Sequence, residues 1–264
     1  MKYKSVILGS VVAAATVGIS HAAYMLPLAA TGWENDIVYG GSDTLGFGNG
    51  VNGTVDGGVT DGQTWYGLGY NVNAPTTGLP TTVTNSQSLG ADLSFQLQPF
   101  STGGIANTKV NNAVLAGGTL GLVAPAPMVR LALIGSTGGD PRNLSVTVNF
   151  ADSATAETFS LAGTTVTGIE QDWFDGTDIA YTAGGRADGN GFSIHSLNPR
   201  LYQSVFTLVN QTSAVSSVTI ALLNTSGGNN AIMAISGEAV PEPTSAVLLG
   251  LGALSLMGIR RRKA

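Results

Sequence analysis

The sequence contains no cysteine, only two histidines and few charged residues, and each shortage excludes a class of function. Without cysteine there is no disulfide, thiol nucleophile, thiolate metal site or lipid-modified cysteine anchor. His21 falls in a predicted signal peptide and leaves His195 alone, which excludes a transition-metal site that needs two histidines. Charged residues make up 10% of the chain, well below the usual quarter, which disfavours long charged helices.

The few charges are unevenly distributed along the chain. Of the eleven Lys and Arg, six lie in the two end segments, which leaves five in the body against fifteen of the sixteen acids, a charge near −10. Nucleic acid binding needs a basic patch that five scattered cations do not supply, so we expect no nucleic acid partner. Divalent cations and neutral sugars suit this composition better.

The N-terminus has the three parts of a secretory signal peptide. Lys2 and Lys4 precede an apolar run over residues 5–19, and Ser20 and Ala22 then occupy the −3 and −1 positions for signal peptidase. We predict a signal peptide over residues 1–22 with cleavage after Ala22. The alternative is a retained membrane helix, but fifteen residues fall short of a span.

The C-terminus ends in a second apolar run followed by positive charge. Residues 244–259 would reach about 24 Å as a helix, close to the thickness of a hydrocarbon core. The basic end over residues 260–264 should stay cytoplasmic, since Lys and Arg resist translocation. The basic residues of this end are Arg260, Arg261, Arg262 and Lys263, and they are expected to stop translocation. We therefore predict a transmembrane helix over residues 244–259 with the body outside the cytoplasm.

This ending resembles a known sorting signal, the PEP-CTERM tail, which is also labelled the ice-binding protein C-terminal domain. The resemblance lies in Val240-Pro241-Glu242-Pro243, the short apolar helix and the terminal Arg cluster, and it covers residues 240–264. It implies that an exosortase-type membrane protease removes the tail and delivers the protein to the cell surface or the extracellular polysaccharide. The alternative is a permanent single-pass anchor.

Hydrophobic periodicity predicts β-strands throughout the body, residues 23–239. Apolar residues alternate with polar ones over residues 92–100, 143–150 and 217–223, which indicates strands with one buried face. Residues 128–136 and 230–237 are apolar on both faces, as in strands that are covered on two sides. Clusters of Gly, Asp and Asn between these runs indicate turns.

Many short strands without a credible body helix predict an all-β fold, an antiparallel jelly-roll-like β-sandwich. An immunoglobulin-like sandwich is the competing fold. Residues 23–90 are Gly-rich and are expected to form loops and edge strands. Residues 143–237 also resemble the jelly-roll bodies of proteins that carry this sorting tail. Similar sandwiches serve as galactose-binding-like and other carbohydrate-binding modules.

No catalytic set is evident, so we expect the protein not to be an enzyme. His195 has no identifiable orienting partner and no Gly-x-Ser-x-Gly elbow occurs. A glycosidase needs only two carboxylates, and residues 170–178 are the densest acidic stretch. A carbohydrate-active enzyme is therefore the alternative function.

The same acidic stretch is a candidate for calcium and for sugar. Asp172, Asp175 and Asp178 have three-residue spacing and offer the oxygen ligands that Ca²⁺ prefers. Asp56 with Asp61 and Asp188 with Asn190 offer similar loop chemistry. Trp173 could stack on a sugar while neighbouring acids accept hydrogen bonds from the hydroxyl groups of that sugar. The structural alternative is that Trp173 caps the core.

Ice binding is a further alternative, because residues 75–85 are rich in threonine, although Pro75 and Pro80 interrupt them. The function that fits the sequence best is an exported, exosortase-sorted, non-enzymatic surface or matrix protein that associates with extracellular polysaccharide. Its expected partners are signal peptidase, the exosortase-type protease and, before processing, the membrane. A structural Ca²⁺ is the one cofactor that the sequence favours.

Overall fold

The computed structural model describes residues 24–40, 43–44, 50–56, 62–70, 78–85, 92–100, 110–162, 168–188, 194–195, 197–224 and 228–241. The predicted signal peptide with Ala22, the sorting residues Glu242 and Pro243, the apolar run 244–259 and the basic end lie outside these residues. The threonine-rich stretch 75–85 lies partly outside them.

The described residues form β-strands and contain no helix. In chain order the strands are β1 (Tyr24–Pro27), β2 (Ala30–Thr31), β3 (Val38–Tyr39), β4 (Gln63–Tyr66), β5 (Thr82–Asn85), β6 (Asp92–Gln96), β7 (Val114–Leu115), β8 (Gly117–Thr137), β9 (Leu144–Phe150), β10 (Glu157–Leu161), β11 (Ile179–Thr182), β12 (Arg186–Asp188), β13 (Ile194–His195), β14 (Arg200–Thr207), β15 (Ala214–Leu222) and β16 (Asn230–Ala239). The all-β prediction is confirmed for this part of the chain.

The alternating strands bury the faces that the sequence predicts. In β9 every second side chain from Leu144 to Phe150 is buried, and the residues between them are partly exposed. In β6 the side chains of Leu93 and Phe95 are buried, as is Leu97 just beyond it, but the intervening Ser94 is buried as well. Period-two alternation places successive side chains on opposite faces, so β9 covers a core with one face, whereas β6 is covered on both sides at Ser94.

The two runs that are apolar on both faces are confirmed as strands covered on two sides. Ala132 and Ile134 of β8 belong to one apolar cluster, which also contains Trp65 and Trp173. Leu133, which lies between them, belongs to a second cluster on the other side. The β8–β16 pair is therefore the central layer between two cores, which explains why its sequence does not alternate.

Twelve of the strands form one large sheet, with the order β10-β9-β15-β8-β16-β1-β6-β5 and with β14, β11, β2 and β7 paired off this path. β8 crosses from one part of the sheet to the other. Its first half pairs with β15, and its second half pairs with β14 and β16. The pairing partner changes near Pro127, a residue without an N–H group, where the strand reaches a corner of the body.

The Gly-rich first third contributes to both sheets. β1, β5 and β6 join the large sheet, whereas β3 and β4 form a four-stranded sheet with β12 and β13. Tyr39, Tyr66, Tyr70 and Ala187 fill a small core of their own beneath this second sheet, together with Val51. The second sheet thus connects the first third of the chain to residues 186–195.

Candidate functional site

The acidic stretch singled out in the sequence forms a loop over residues 168–178, here called the Trp173 loop. It crosses the end of β8 and the start of β14. The N–H of Trp173 donates to the carbonyl of Thr137 at 2.9 Å, and the N–H of Arg200 donates to the carbonyl of Trp173 at 2.7 Å. Backbone hydrogen bonds on both sides fix the loop across the strand ends.

The structure places Trp173 in the core, with 1% of its surface exposed. Its ring meets Trp65 of β4 edge-on at a centroid distance of 5.4 Å and lies 5.7 Å from the ring of Phe174. A sugar stacks on an exposed aromatic face, and Trp173 offers none. The buried position of Trp173 fits the alternative given from the sequence, in which this residue caps the core.

Arg186 covers this aromatic cluster from the second sheet. Its guanidinium carbon lies 5.1 Å from the Trp173 ring centroid and 5.0 Å from that of Phe174, both within range of a cation–π contact. One nitrogen of the same guanidinium lies 3.5 Å from an oxygen of Asp56. Arg186 therefore joins the two sheets, a role that its sequence context did not indicate.

The loop buries two acids, Glu170 and Asp172, and the hydrogen bonding of Asp172 is the better defined. The Oδ1 of Asp172 accepts a hydrogen bond from the N–H of Phe174 at 3.0 Å, which closes a local turn. Burial raises the pKa of Asp172 to about 6, and the neighbouring carboxylates of Asp175 and Asp56 add to the increase, while the Phe174 N–H and Arg186 oppose it. Burial likewise raises the pKa of Asp56, against the attraction of Arg186.

The three predicted calcium ligands do not converge. Asp172 is buried, whereas Asp175 and Asp178 are exposed to solvent. Asp178 has a positive φ of 56°, which turns the chain toward β11. No group of three His, Asp or Glu side chains within the described ranges is arranged to hold a metal ion.

Other sequence candidates are separated or fall outside the described part. The backbone of His195 pairs with Arg186 between β13 and β12. Asp61 and Asn190 lie outside the described residues, and only the backbone of Asp188 is described. The structure brings Asp56 to the Trp173 loop through Arg186, a contact between residues 130 positions apart.

A second candidate site lies on the solvent side of the large sheet, where four adjacent strands present small polar side chains. We call this surface the hydroxyl face. At its centre, Thr119 of β8 pairs with Thr219 of β15, Thr219 pairs with Thr147 of β9, and Thr147 pairs with Thr158 of β10. Neighbouring strands lie about 4.8 Å apart, so this row of threonines spans about 14 Å.

Neighbouring rows continue the same chemistry. Their members on the hydroxyl face are Gly117, Gly121, Ser145, Asn149, Ser160, Ser217 and Ala221. None of these described residues is ionisable, and none has a side chain larger than asparagine. The face is therefore uncharged and free of bulky side chains, on a body that is strongly acidic overall.

Hydrogen bonds between strands hold these side chains in place. The hydroxyls of Thr119 and Thr219 lie 3.0 Å apart, and those of Thr147 and Thr158 lie 3.1 Å apart. The Asn149 amide donates to Ser217 at 3.2 Å and to the hydroxyl of Thr219 at 3.3 Å. Each hydroxyl has two acceptor lone pairs and one proton, so the paired groups retain capacity for a ligand.

The signal for this face was present in the sequence. In residues 143–150 and 217–223 the apolar positions predict the buried face, and the alternate positions form the opposite, polar face. Those positions carry Ser145, Thr147, Asn149, Ser217 and Thr219. Their alignment across strands depends on register, which a single sequence does not specify.

The C-terminal tail begins where the sheet ends. Ala239 of β16 still pairs with Met128 of β8, and the N–H of Val240 donates to the carbonyl of Pro127 at 3.2 Å. Pro241 follows, is exposed, and has no N–H with which to continue the ladder. The folded body and the sorting residues therefore adjoin without a spacer.

Comparison with known proteins identifies this tail. Residues 239–263 match the PEP-CTERM protein-sorting motif, in agreement with the resemblance seen in the sequence. No curated protein matches the chain. Across the described residues no helix is long and apolar enough to cross a membrane. The motif marks the chain as an exported surface protein that is targeted to an exosortase.

Proposed function

We propose that this chain is a non-enzymatic protein of the cell surface or extracellular matrix, with a jelly-roll-like body that binds neutral polysaccharide through the hydroxyl face. The sorting motif supports the location. The observation that carries the binding function is the row of Thr119, Thr219, Thr147 and Thr158, with its uncharged neighbours.

The chemistry of the hydroxyl face favours a neutral glycan. Hydroxyl and amide groups both donate and accept, which is what a ligand with many hydroxyl groups requires. An acidic polymer would be repelled by a body whose charge is near −10. Because the pairs across strands fix the side chains in advance, binding costs little rotamer entropy.

The non-enzymatic proposal is supported by the state of the acids near the Trp173 loop. Asp172 is buried, and one of its oxygens accepts a hydrogen bond from the Phe174 N–H. A carbohydrate-active enzyme using Asp172 and Asp56 remains the alternative function. Release of reducing sugar from the polysaccharide during incubation would favour the enzyme over the binding protein.

Ice binding is a second candidate function, because the central row of the hydroxyl face consists of threonines. An ice-binding surface needs a flat, regular array of threonines, and the central row supplies one such line. The adjacent rows contain Gly, Ala, Ser and Asn, so the array does not repeat along the strands. Thermal hysteresis of the purified body distinguishes this function, and we expect none.

The direct test is co-sedimentation of the body, residues 23–241, with the purified extracellular polysaccharide of the producing organism. We expect saturable binding that the double substitution Thr147→Val and Thr219→Val weakens by about tenfold, the equivalent of one or two lost hydrogen bonds. Valine retains the shape of threonine and removes only the hydroxyl.

Thr182→Val serves as the matched control, since Thr182 is exposed on β11, outside the hydroxyl face. The control variant should bind like the parent. Binding that the double variant leaves unchanged would contradict the assignment of the face, whereas absence of binding by the parent protein would contradict polysaccharide association itself.

A further inference from the structure

The two ends of the described body lie side by side. β1 and β16 are antiparallel neighbours, with Leu26 opposite Gly237. Tyr24 precedes this pairing by two residues and pairs with Asp92 of β6. The predicted signal peptide ends at Ala22 and the sorting motif begins at residue 239, so both membrane-directed segments join the body at one end.

Apolar side chains project from this end, which we call the tail-exit end and define by Tyr24, Pro127, Val209, Ala239 and Val240. Val209 is 91% exposed and Tyr24 is 42% exposed, and Pro127 is also exposed. Val209 directly follows Leu208, whose N–H donates to the carbonyl of Val129 of β8 at 3.0 Å. The β14, β8, β16 and β1 strands therefore present these residues in a line.

The turn that carries Val209 is fixed in its outward position. The carboxylate of Glu157 accepts hydrogen bonds from the N–H groups of Val209 at 2.9 Å and Asn210 at 2.6 Å. The side chain of Asn210 accepts from the N–H groups of Thr212 and Ser213 at 3.1 and 3.0 Å. A single exposed apolar side chain is ordinary, so what indicates an interaction surface is its place beside Pro127 and the start of the tail, and the fixed turn keeps it there.

Several charged side chains near the tail-exit end have partners within the protein. Arg130 and Glu238 form an ion pair at 2.5 Å, and the carboxylate of Asp152 accepts from the Ser213 hydroxyl at 2.6 Å. Glu157 accepts from the two N–H groups of the turn. The side chain of Asp92, which pairs with Tyr24, lies outside the described residues. The Arg130–Glu238 pair balances two opposite charges close to the surface that would face the membrane.

The spacing between body and tail is short. Val240 makes the last hydrogen bond of the sheet, and four residues later the apolar run begins at Thr244. Four extended residues span at most about 14 Å. A tail inserted in the membrane therefore keeps the tail-exit end at the lipid headgroups.

We propose that, before the tail is removed, the body rests on the outer surface of the lipid bilayer through the tail-exit end, with Val209 and Tyr24 at the headgroup level. Valine and tyrosine suit this position, since aromatic side chains favour the interface and small apolar ones enter its edge. The inference rests on insertion of the tail, which belongs to the proposed sorting function, and does not depend on glycan binding.

The absence of cysteine makes the test direct, because single cysteines can be introduced without removing others. The full chain carrying Val209→Cys, labelled with an environment-sensitive fluorophore, is reconstituted into phosphatidylcholine vesicles that contain lipid with a nitroxide on its headgroup. Leu223→Cys is the matched control. Leu223 is 60% exposed and apolar but follows the far end of β15, about 27 Å along the strand from Ala214, which pairs with Pro127.

We expect the label at residue 209 to be quenched at least twofold more than the label at residue 223. A Gly-Ser spacer of about eight residues between Val240 and Pro241 should reduce this difference, since it extends the reach of the tether. Equal quenching at the two positions, or stronger quenching at residue 223, would overturn the proposal. Failure of the chain to float with vesicles would also overturn it, together with insertion of the tail, and would leave the polysaccharide result unaffected.

Discussion

The guanidinium of Arg186 is stacked over the ring of Trp173, with 5.1 Å between the guanidinium carbon and the ring centroid. The contact joins the second sheet to the Trp173 loop of the large sheet. Its other partners, Phe174 and Asp56, come from different parts of the chain. Arg186 thus holds together three segments that are separated in the sequence.

Substitution of Arg186 tests whether its contact with the rings or its charge contributes more to the free energy of unfolding. We expect Arg186→Ala to lower the free energy of unfolding by about 1–3 kcal/mol, through lost packing and the lost cation–π contact. Arg186→Lys retains the charge but not the planar stacking group, so we expect it to recover less than half of the loss. The measurement is urea unfolding followed by tryptophan fluorescence. Full recovery by lysine would indicate that the ion pair with Asp56 dominates.

A buried carboxylate organises the start of the second sheet. Asp36 is fully buried and accepts hydrogen bonds from the N–H of Val110 at 2.5 Å, the amide of Asn112 at 2.6 Å and the N–H of Val38 at 3.3 Å. Burial raises the pKa of Asp36 to about 6, although these three donors favour the charged form. With Asp172, two buried acids have a pKa near 6.

These acids predict that the protein is more stable at mildly acidic pH. Because the pKa of each is higher in the folded state than its ordinary 3.8, the folded protein binds more protons between pH 3.8 and about 6. Stability therefore falls as pH rises through this window and is lowest above it. We expect the free energy of unfolding to be higher at about pH 5 than at about pH 7.5, by about 1 kcal/mol for each acid.

Asp172→Asn isolates one of the two contributions. Asparagine keeps an oxygen for the Phe174 N–H and cannot ionise, so the difference between the two pH values should fall by about half. Asp178→Asn, at an exposed acid of the same loop, is the control and should leave the difference unchanged. A free energy of unfolding that is larger at the higher pH than at the lower pH would contradict the sign of the effect.

The sequence predicted the fold of the described part better than its candidate site. Alternation of apolar residues in β9 and continuous apolar runs in β8 and β16 indicated which faces are buried, because burial follows from local side-chain order. The sorting tail was likewise recognisable from a short contiguous motif. Both signals lie within a few neighbouring residues.

The candidate site depended on pairs distant in sequence. Asp172, Trp173 and Asp178 are close in the chain, yet the loop buries the first two and exposes the third, since its backbone bonds to Thr137 and Arg200 decide the orientation. The hydroxyl face depends on the register of four strands. Neither feature follows from composition or periodicity alone.

Calcium removal is expected to have little effect on stability. Asp172 is buried while Asp175 and Asp178 are exposed to solvent, and the described residues contain no three-carboxylate cluster. We expect the Tm with EDTA to lie within about one degree of the Tm with excess Ca²⁺, because carboxylates that do not converge on one ion would bind it too weakly to shift unfolding. Stabilisation by several degrees in calcium would contradict this expectation and support the calcium prediction made from the sequence.

The glycine that opens the Trp173 loop is expected to be intolerant of a side chain. Gly168 has φ of +97°, and a Cβ at this position would lie 2.5 Å from the Ser204 hydroxyl and 2.6 Å from a Glu170 carboxylate oxygen. Gly69 has a similar φ of +81° but no atom within 4 Å of such a Cβ. We expect Gly69→Ala to cost about 1 kcal/mol from backbone conformation alone, and Gly168→Ala to cost about 2 kcal/mol or more. Urea unfolding of both variants measures the difference, and equal losses would show that Ser204 and Glu170 move aside without cost.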